Sequence, residues 1–168
     1  EEALAEAFPD KQTTGLIVFS DPHVVFRTQQ FEERGIDMNV AADVIAKRLM
    51  TVTGISAVYT RQQIENGLLP NTRQAQFVTN GFNPERSGYL VVLSDQFFYN
   101  SRSKTGTTHG TGYNYDTHVP MIFAGSSVKP GIYTQRSDIR DIAPTLSFLL
   151  GVTAPASSEG RILGEMIK

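Results

Sequence analysis

The feature that most constrains the fold is a pair of apolar runs separated by a long polar stretch. The first run is YLVVLS (89–94), the second is VPMIFAG (119–125), and about 23 residues lie between them. A continuous apolar run of this kind is typical of a strand buried on both faces, as in a parallel sheet. Two strands cannot form a stable sheet alone, so the second half predicts part of a larger sheet.

The first half of the chain alternates between short strands and helices. Residues 16–20 and 23–27 surround Asp21-Pro22 and form either a hairpin or one strand broken at the proline. The remaining predicted elements are a strand over 55–60 and helices over 1–8, 40–52, 61–68 and 72–82. For the 40–52 helix, Asn39 is the predicted N-cap and Gly54 the predicted C-terminal signal.

A helix over 142–150 is predicted near the end of the chain. With Asp141 as N-cap, Pro144 falls in the first turn, where its missing N–H costs nothing. Gly151 ends the helix, and its buried side chains are expected to be Ile142, Leu146, Leu149 and Leu150. The fold class is therefore predicted to be α/β, with an α+β subdomain over 1–82 followed by strands and a helix of a larger, incomplete sheet over 83–168.

Composition excludes several classes of site. The 168 residues contain no cysteine, which excludes zinc–thiolate sites, disulfides and cysteine nucleophiles. The net charge is -2 with scattered Lys and Arg, so no nucleic-acid partner is expected. No apolar run approaches the ~20 residues of a membrane helix. Because the chain opens with EEALAEAF and has no initiator Met, we expect a fragment or a processed form.

The polar stretch ends in a loop with the composition of a metal site. GTTHGTGYNYDTHVP (106–120) contains two histidines and three glycines. Glycines let the backbone approach a ligand closely, and neutral imidazole is a common zinc ligand. A loop this long between buried strands is uncommon unless it is functional. Because a catalytic zinc normally has three protein ligands, the other ligands must come from elsewhere.

Several motifs together resemble a known family. GTTHGTGYNYDTHVPMIFAGSSVKPG, followed by SDIRDIAPTLSFLLGV and EGRIL, resembles the C-terminal end of the alkaline phosphatase superfamily. The closest branch is that of bacterial alkaline phosphatases built like type I phosphodiesterases and nucleotide pyrophosphatases. The similarity is strong over 106–168. It is looser in the first half, where SDPHVVF, GISAVYTR and NGFNPERSGYLVV resemble the lid-like insertion of the same branch.

The resemblance implies a metal-dependent phosphate-ester hydrolase. Enzymes of this kind hold two zinc ions with Asp and His residues and use an upstream Thr or Ser as nucleophile. By position, His109 matches the zinc ligand of the final His-Gly motif. The nucleophile and the upstream ligand motifs have no counterpart here, so no catalytic residue is assigned and the isolated chain is expected to be inactive. The resemblance also makes 1–82 the lid-like insertion and 83–168 the C-terminal part of the core, and it implies a periplasmic or secreted location.

Other polar residues of the loop have alternative interpretations. His118 is expected to hydrogen-bond backbone or Asp116 and shape the loop, and His23 is expected to be structural. Asp116 either orients His109 or forms a turn. Tyr113 and Tyr115 either line a pocket or pack. Thr105, Thr107 and Thr108 are interpreted as loop residues. Arg102 and Lys104 are interpreted as solvated charges.

The predicted function is that of a C-terminal fragment of a zinc-dependent phosphomonoester or phosphodiester hydrolase. Three alternatives stay open: another branch of the superfamily, such as a sulfatase or phosphoglycerate mutase, a non-enzymatic α+β binding module, and a proteolytic remnant. The expected partner is a phosphate-ester substrate of the intact protein. A homo-oligomer formed through exposed sheet edges is a further possibility.

Overall fold

Strands and helices alternate along the chain in the computed structural model, which describes residues 1–101, 103 and 105–168. The elements are α1 Glu2–Ala7, β1 Ile17–Ser20, β2 His23–Phe26, α2 Thr28–Glu33, α3 Met38–Leu49, β3 Ile55–Thr60, α4 Arg61–Glu65, α5 Arg73–Gly81, β4 Leu90–Ser94, α6 Asn114–Thr117 and α7 Ile142–Leu150. Two short 3₁₀ turns cover Ile139–Asp141 and Gly164–Met166. The mixed α/β class is confirmed, and none of the described helices is long and apolar enough to cross a bilayer.

The chain divides into two compact units, Glu1–His118 and Val119–Lys168. The predicted boundary between residues 82 and 83 falls inside the first unit, because β4 pairs with strands from the first half of the chain. The assignment of 1–82 to a lid-like insertion and of 83–168 to an enzyme core stays a prediction.

The first unit is built on an antiparallel sheet with the strand order β1-β2-β4-β3. β1 and β2 form a hairpin with Asp21-Pro22 at its turn, which is one of the two arrangements that the sequence allowed. β4 lies between β2 and β3, pairing Leu90 with Val24 on one side and with Thr60 on the other. The prediction of a parallel sheet around 89–94 is therefore wrong for the described strands, although the strand itself is confirmed.

Helices cover both faces of this sheet. Leu90 and Val92 pack into a core with the buried side chains of α1, α2 and α3. Val91 points to the other face, where it packs with Ile64 of α4 and Val78 of α5. The continuous apolar pattern of 89–94 thus correctly indicated burial on both faces, because a central strand covered by helices on each side has no solvent-facing positions.

The start of α3 corrects the predicted cap. Asp37, not Asn39, is the N-cap residue, and its Oδ1 accepts hydrogen bonds from Asn39 N at 2.8 Å and Val40 N at 3.1 Å. Asn39 lies inside the helix because Met38 begins it. The helix also ends at Leu49, before the predicted Gly54, and Val52 is exposed.

The second unit contains α7, which begins at the predicted position, although the Asp141 side chain makes no capping hydrogen bond to it. Asp141 precedes Ile142, Pro144 lies in the first turn, and Gly151 ends the helix with a left-handed φ of 66°. The predicted burial is wrong for Leu146 and Leu150, which are exposed, whereas Pro144, Thr145 and Ser147 are the buried positions. Within the described residues, this unit offers no layer that covers the leucine-bearing face.

The prediction of a strand over 119–125 is also wrong. The structure forms no strand there, and Val119 and Ile122 are exposed. The only pairing of the described residues in this unit outside helices is an isolated antiparallel bridge between Val128 and Ile167. An apolar run becomes a buried strand only where neighbouring strands complete its hydrogen bonds, and the described residues of this unit supply none.

Asp141 joins two of the sequence motifs. Its buried carboxylate accepts hydrogen bonds from Asp138 N at 2.8 Å and from Arg161 N at 2.9 Å. The adjacent Gly160 approaches the main chain of Arg140 so closely that a Cβ atom would overlap its carbonyl group. SDIRDIAP and EGRIL are therefore parts of one packed structure, which explains the acidic residue and the glycine at these positions.

Candidate functional site

The loop after β4 is fastened at both ends by tyrosine hydroxyls. Tyr99 Oη donates a hydrogen bond to Gly106 O at 3.2 Å, and Tyr113 Oη donates to Ser94 O at 3.1 Å. Because Ser94 is the last residue of β4, the second bond returns the loop to the carboxyl end of the central strand. The loop is thus held next to the sheet even though its described residues form no strand.

Asp116 closes the loop behind His109. Its Oδ2 accepts hydrogen bonds from Thr111 N at 2.9 Å and from Thr111 Oγ1 at 2.6 Å. These two bonds, together with the nearby His109, hold the pKa of the Asp116 carboxyl below its ordinary value. Asp116 is bonded to Thr111 and not to a histidine, so it fixes the backbone two residues after His109.

His109 is exposed and lines a cavity of the first unit. Its main-chain carbonyl accepts a hydrogen bond from Thr108 Oγ1 at 3.4 Å, and no hydrogen bond to its imidazole is found among the described residues. His109 is the candidate zinc ligand, and the described residues contain no cluster of three or more His, Cys, Asp or Glu side chains that could hold a metal. The described residues therefore fit one ligand of a zinc ion but not a complete site.

The other two histidines have different surroundings. His118 follows α6, is exposed, and donates its main-chain N–H to Asn114 O at 2.8 Å. His23 Nδ1 accepts from Gly88 N at 3.4 Å, and its side chain lines the same cavity as His109. Of the three, His109 and His23 share a cavity, whereas His118 is not part of its lining.

The two tyrosines of the motif differ in role. Tyr113 lines the cavity and bonds to β4, while Tyr115 stacks on Phe97 with ring centroids 5.1 Å apart and accepts a hydrogen bond from Phe97 N at 3.1 Å. Thr108 lines the cavity, and Thr105 and Thr107 are exposed. Arg102 and Lys104 lie outside the described residues.

The cavity itself was not predicted from the sequence. Its volume is about 420 Å³, and its lining combines segments from across the first unit. Besides the loop, it includes aromatic side chains of α5 and the β4–loop junction, and the turn of the β1–β2 hairpin: Phe77, Phe82, Phe98, Tyr99 and Asp21. The aromatic residues carried no recognisable motif, because they come from segments that are separated in the sequence.

Three relatives cover most of the chain. It is 30% identical over 168 residues to a Myroides odoratus protein named calcium-transporting ATPase, covering 99% of the chain and 30% of that protein. It is 29% identical over 144 residues to alkaline phosphatase PafA of Elizabethkingia meningoseptica, covering 86% and 26%. It is 30% identical over 139 residues to alkaline phosphatase PhoV of Synechococcus elongatus, covering 83% and 23%. No protein-family profile matches the chain.

Solved structures agree with the sequence relatives. The crystal structure of wild-type PafA matches 99% of the chain with a TM-score of 0.85 and 27% identity, and a PafA variant matches with a TM-score of 0.84. The chain covers 32% of the wild-type PafA chain and 23–30% of the three relatives' lengths, so it spans a third or less of each. Over almost its whole length the chain is therefore similar to one part of the alkaline phosphatases PafA and PhoV, and it shares the fold of that part of PafA, which is consistent with a part of an alkaline phosphatase-superfamily enzyme.

Proposed function

We propose that this chain is part of a zinc-dependent phosphate-ester hydrolase and that the imidazole of His109 is one of the zinc ligands. The observation that carries the proposal is the position of His109, on a glycine-rich loop at the carboxyl end of a buried strand and at the wall of a cavity. Binding residues are disproportionately found on loops that a rigid scaffold positions. The names of two relatives favour a phosphatase over the sulfatase and mutase branches.

The residues of this chain would orient the His109 imidazole toward the zinc ion and would not themselves cleave the phosphate ester. The hydrogen bonds from Thr111 to Asp116 fix the backbone next to His109, which sets the direction in which the imidazole leaves the loop. A zinc ion bound there would polarise a phosphoryl oxygen and stabilise charge on the attacking and leaving oxygens. The nucleophile and the remaining ligands are proposed to come from other parts of the enzyme, so residues 1–168 alone are expected to be inactive.

The decisive experiment is zinc binding by calorimetry on the full-length protein that carries this chain. His109→Ala is expected to lower the zinc stoichiometry or weaken binding at least about tenfold, the size typical of disturbing a metal-site residue. His118→Ala is the matched control, since it removes an imidazole from the same loop without touching the cavity, and it should bind zinc as the unaltered protein does. Equal zinc binding by the unaltered protein and His109→Ala would favour a non-enzymatic binding module.

Activity provides a second readout. The full-length protein is expected to hydrolyse p-nitrophenyl phosphate, and assays with bis(p-nitrophenyl) phosphate and ATP would define its preference among monoesters, diesters and anhydrides. His109→Ala should lose this activity and His118→Ala should keep it. Hydrolysis of p-nitrophenyl phosphate by residues 1–168 alone, at a rate abolished by His109→Ala, would contradict the proposal that the other groups lie elsewhere.

The proposal extends to the location and assembly of the protein. The family resemblance implies a periplasmic or secreted enzyme, which fractionation of the source cells would test. β1 is an edge strand with exposed Val18 and Phe19, so it offers unpaired backbone groups to a second copy. Light scattering on the purified protein would report such an oligomer, and a monomer would exclude it.

A further inference from the structure

We propose that the cavity beside His109 binds the leaving group of the substrate and selects phosphate esters of uncharged aromatic alcohols. This inference rests on the proposed function, because it assumes that the phosphoryl group binds at a metal held by His109. The cavity lies wholly within the first unit. Its floor is β4 from Val91 to Ser94, one wall is α5, and the opposite wall is the loop that carries His109.

The cavity walls are held in place by close contacts. Gly112 packs against the ring of Phe77, and a Cβ atom at this position would lie only 2.7 Å from that ring. Arg73 links the two walls, because its guanidinium lies 5.3 Å from the centroid of Phe77 and donates hydrogen bonds to Asn114 at 2.7 Å and Thr117 at 3.1 Å. A ligand would therefore enter a site that is already formed, as is usual for small-molecule pockets.

The rim is fixed in a similar way. Phe98 packs on Gly54, where a Cβ atom would lie 2.5 Å from the phenyl ring. Only a residue without a side chain lets the ring approach the β3 start so closely. Phe98 lines the cavity and is about half exposed, at 49%, so part of its side chain is accessible to a ligand.

The lining chemistry favours a neutral aromatic group. Three phenylalanines and two tyrosines line the cavity, and aromatic rings gain attraction from offset or edge-to-face contacts beyond simple burial. Among the described lining residues there is no Lys or Arg, and the carboxylate of Asp21 is present. A second anionic group on the substrate would meet this carboxylate, and none of the described lining residues is a Lys or Arg that would compensate it, which disfavours sugar bisphosphates and similar substrates.

The size of the cavity agrees with one ring system. Its volume of about 420 Å³ lies in the lower part of the range of small-molecule pockets. Because His109 and the aromatic side chains line the same cavity, an ester bound through its phosphoryl group at His109 would have its alcohol portion next to these rings. Small aliphatic leaving groups would leave most of this apolar surface in contact with water.

The test compares two substrates in the full-length protein. Phe98→Ala is expected to reduce kcat/KM for phenyl phosphate by about three- to tenfold more than for methyl phosphate, which corresponds to the loss of one aromatic contact. Phe97→Ala is the matched control, because Phe97 is the neighbouring aromatic residue, is 81% exposed, and does not line the cavity. It should leave the ratio of the two substrates unchanged.

Binding without turnover gives an independent readout. Phenylphosphonate is expected to bind more tightly than methylphosphonate by calorimetry, and Phe98→Ala should reduce this preference by the same factor as the kinetic ratio. Phe77→Leu, which keeps apolar volume, provides a second cavity variant in case Phe98→Ala alters the fold. If neither cavity variant changes the phenyl-to-methyl preference while His109→Ala lowers the zinc stoichiometry or affinity, the leaving-group site is wrong and the proposed function stands. If His109→Ala keeps zinc and activity, the proposed function itself fails.

Discussion

Asp116 binds Thr111 through a single carboxylate oxygen, which accepts from the threonine N–H at 2.9 Å and from its hydroxyl at 2.6 Å. Both donors act on one charged acceptor, and hydrogen bonds to a charged group are stronger than those between neutral groups. The two hydrogen bonds tie Thr111, two residues after His109, to Asp116. The Asp116 carboxylate therefore adds a local tie beside His109 to the bonds that the two tyrosine hydroxyls make.

Asp116→Ala is expected to loosen this loop. Without the carboxylate, the Thr111 amide loses its acceptor, and its hydrogen exchange should accelerate several-fold relative to the unaltered protein. Thr108→Ala is the control, since the Thr108 hydroxyl makes only a 3.4 Å contact with the neighbouring His109 carbonyl. Amide exchange measured by NMR would check both variants, and an unchanged Thr111 rate in Asp116→Ala would show that the carboxylate does not hold the loop.

Thr145→Val should destabilise the second unit. The buried Thr145 Oγ1 accepts a hydrogen bond from the buried Leu163 N at 3.0 Å. Valine has nearly the same shape but no acceptor, so it leaves a buried N–H without a partner at a cost of about 1–3 kcal/mol. Thr145→Ser keeps the acceptor and should cost less. Denaturant unfolding compares the two, and equal stability of both variants would contradict this account.

Gly160→Ala should destabilise the same unit through overlap with the main chain. The carbonyl group of Arg140 occupies the space that a Cβ atom on Gly160 would need, and backbone cannot move aside as a side chain can. Overpacking of this kind costs about 1–3 kcal/mol. Gly164→Ala is the matched control, because open space surrounds that position. A melting temperature lowered equally by both substitutions would argue against the steric explanation.

The ion pair of Arg161 and Glu165 predicts a pH dependence. Arg161 donates to both carboxylate oxygens of Glu165, at 3.0 and 2.8 Å, and this lowers the pKa of Glu165 from 4.5 to about 2. A carboxylate whose pKa is lower in the folded state than in the unfolded state stabilises the fold, and this contribution is complete at pH values above the pKa of the unfolded state. That contribution is lost as the pH falls from about 4.5 through about 2.

Glu165→Gln isolates this effect from the other carboxylates. At neutral pH the variant should unfold at a lower temperature than the unaltered protein, because it lacks the charge. The difference should shrink as the pH falls through this range, since the protonated Glu165 resembles glutamine. Thermal unfolding at a series of pH values would measure it, and a difference that is independent of pH would contradict the lowered pKa.

Local patterns predicted the elements whose partners lie nearby in sequence. The position of Pro144 fixed Asp141 as the residue before α7, and the apolar run identified β4. The α3 cap could not be decided in this way, because Asp37 and Asn39 are both suitable capping residues. In the structure the helix begins at Met38, whose side chain packs against the core that contains Leu90 and Val92, and Asp37 is therefore the cap.

Burial was harder to predict than element type. The apolar pattern at Leu146 and across 119–125 indicates surfaces that favour burial, but burial also requires a neighbouring layer, which sequence periodicity does not supply. The residues that line the cavity were hard to predict for the same reason. His109 could be identified from its motif and the family resemblance, whereas Phe77 and Phe98 come together only through the pairing of β4 with earlier strands.

The central position of β4 has a consequence for how the protein is made. The β1–β2 hairpin closes over a few residues, but β4 must pair with strands synthesised long before it. Contacts between distant segments form slowly, because the intervening chain must be closed first. During translation, the edges of β2 and β3 that pair with β4 therefore stay unpaired until residues 90–94 have left the ribosome. In this interval a chaperone would have the most exposed surface to protect.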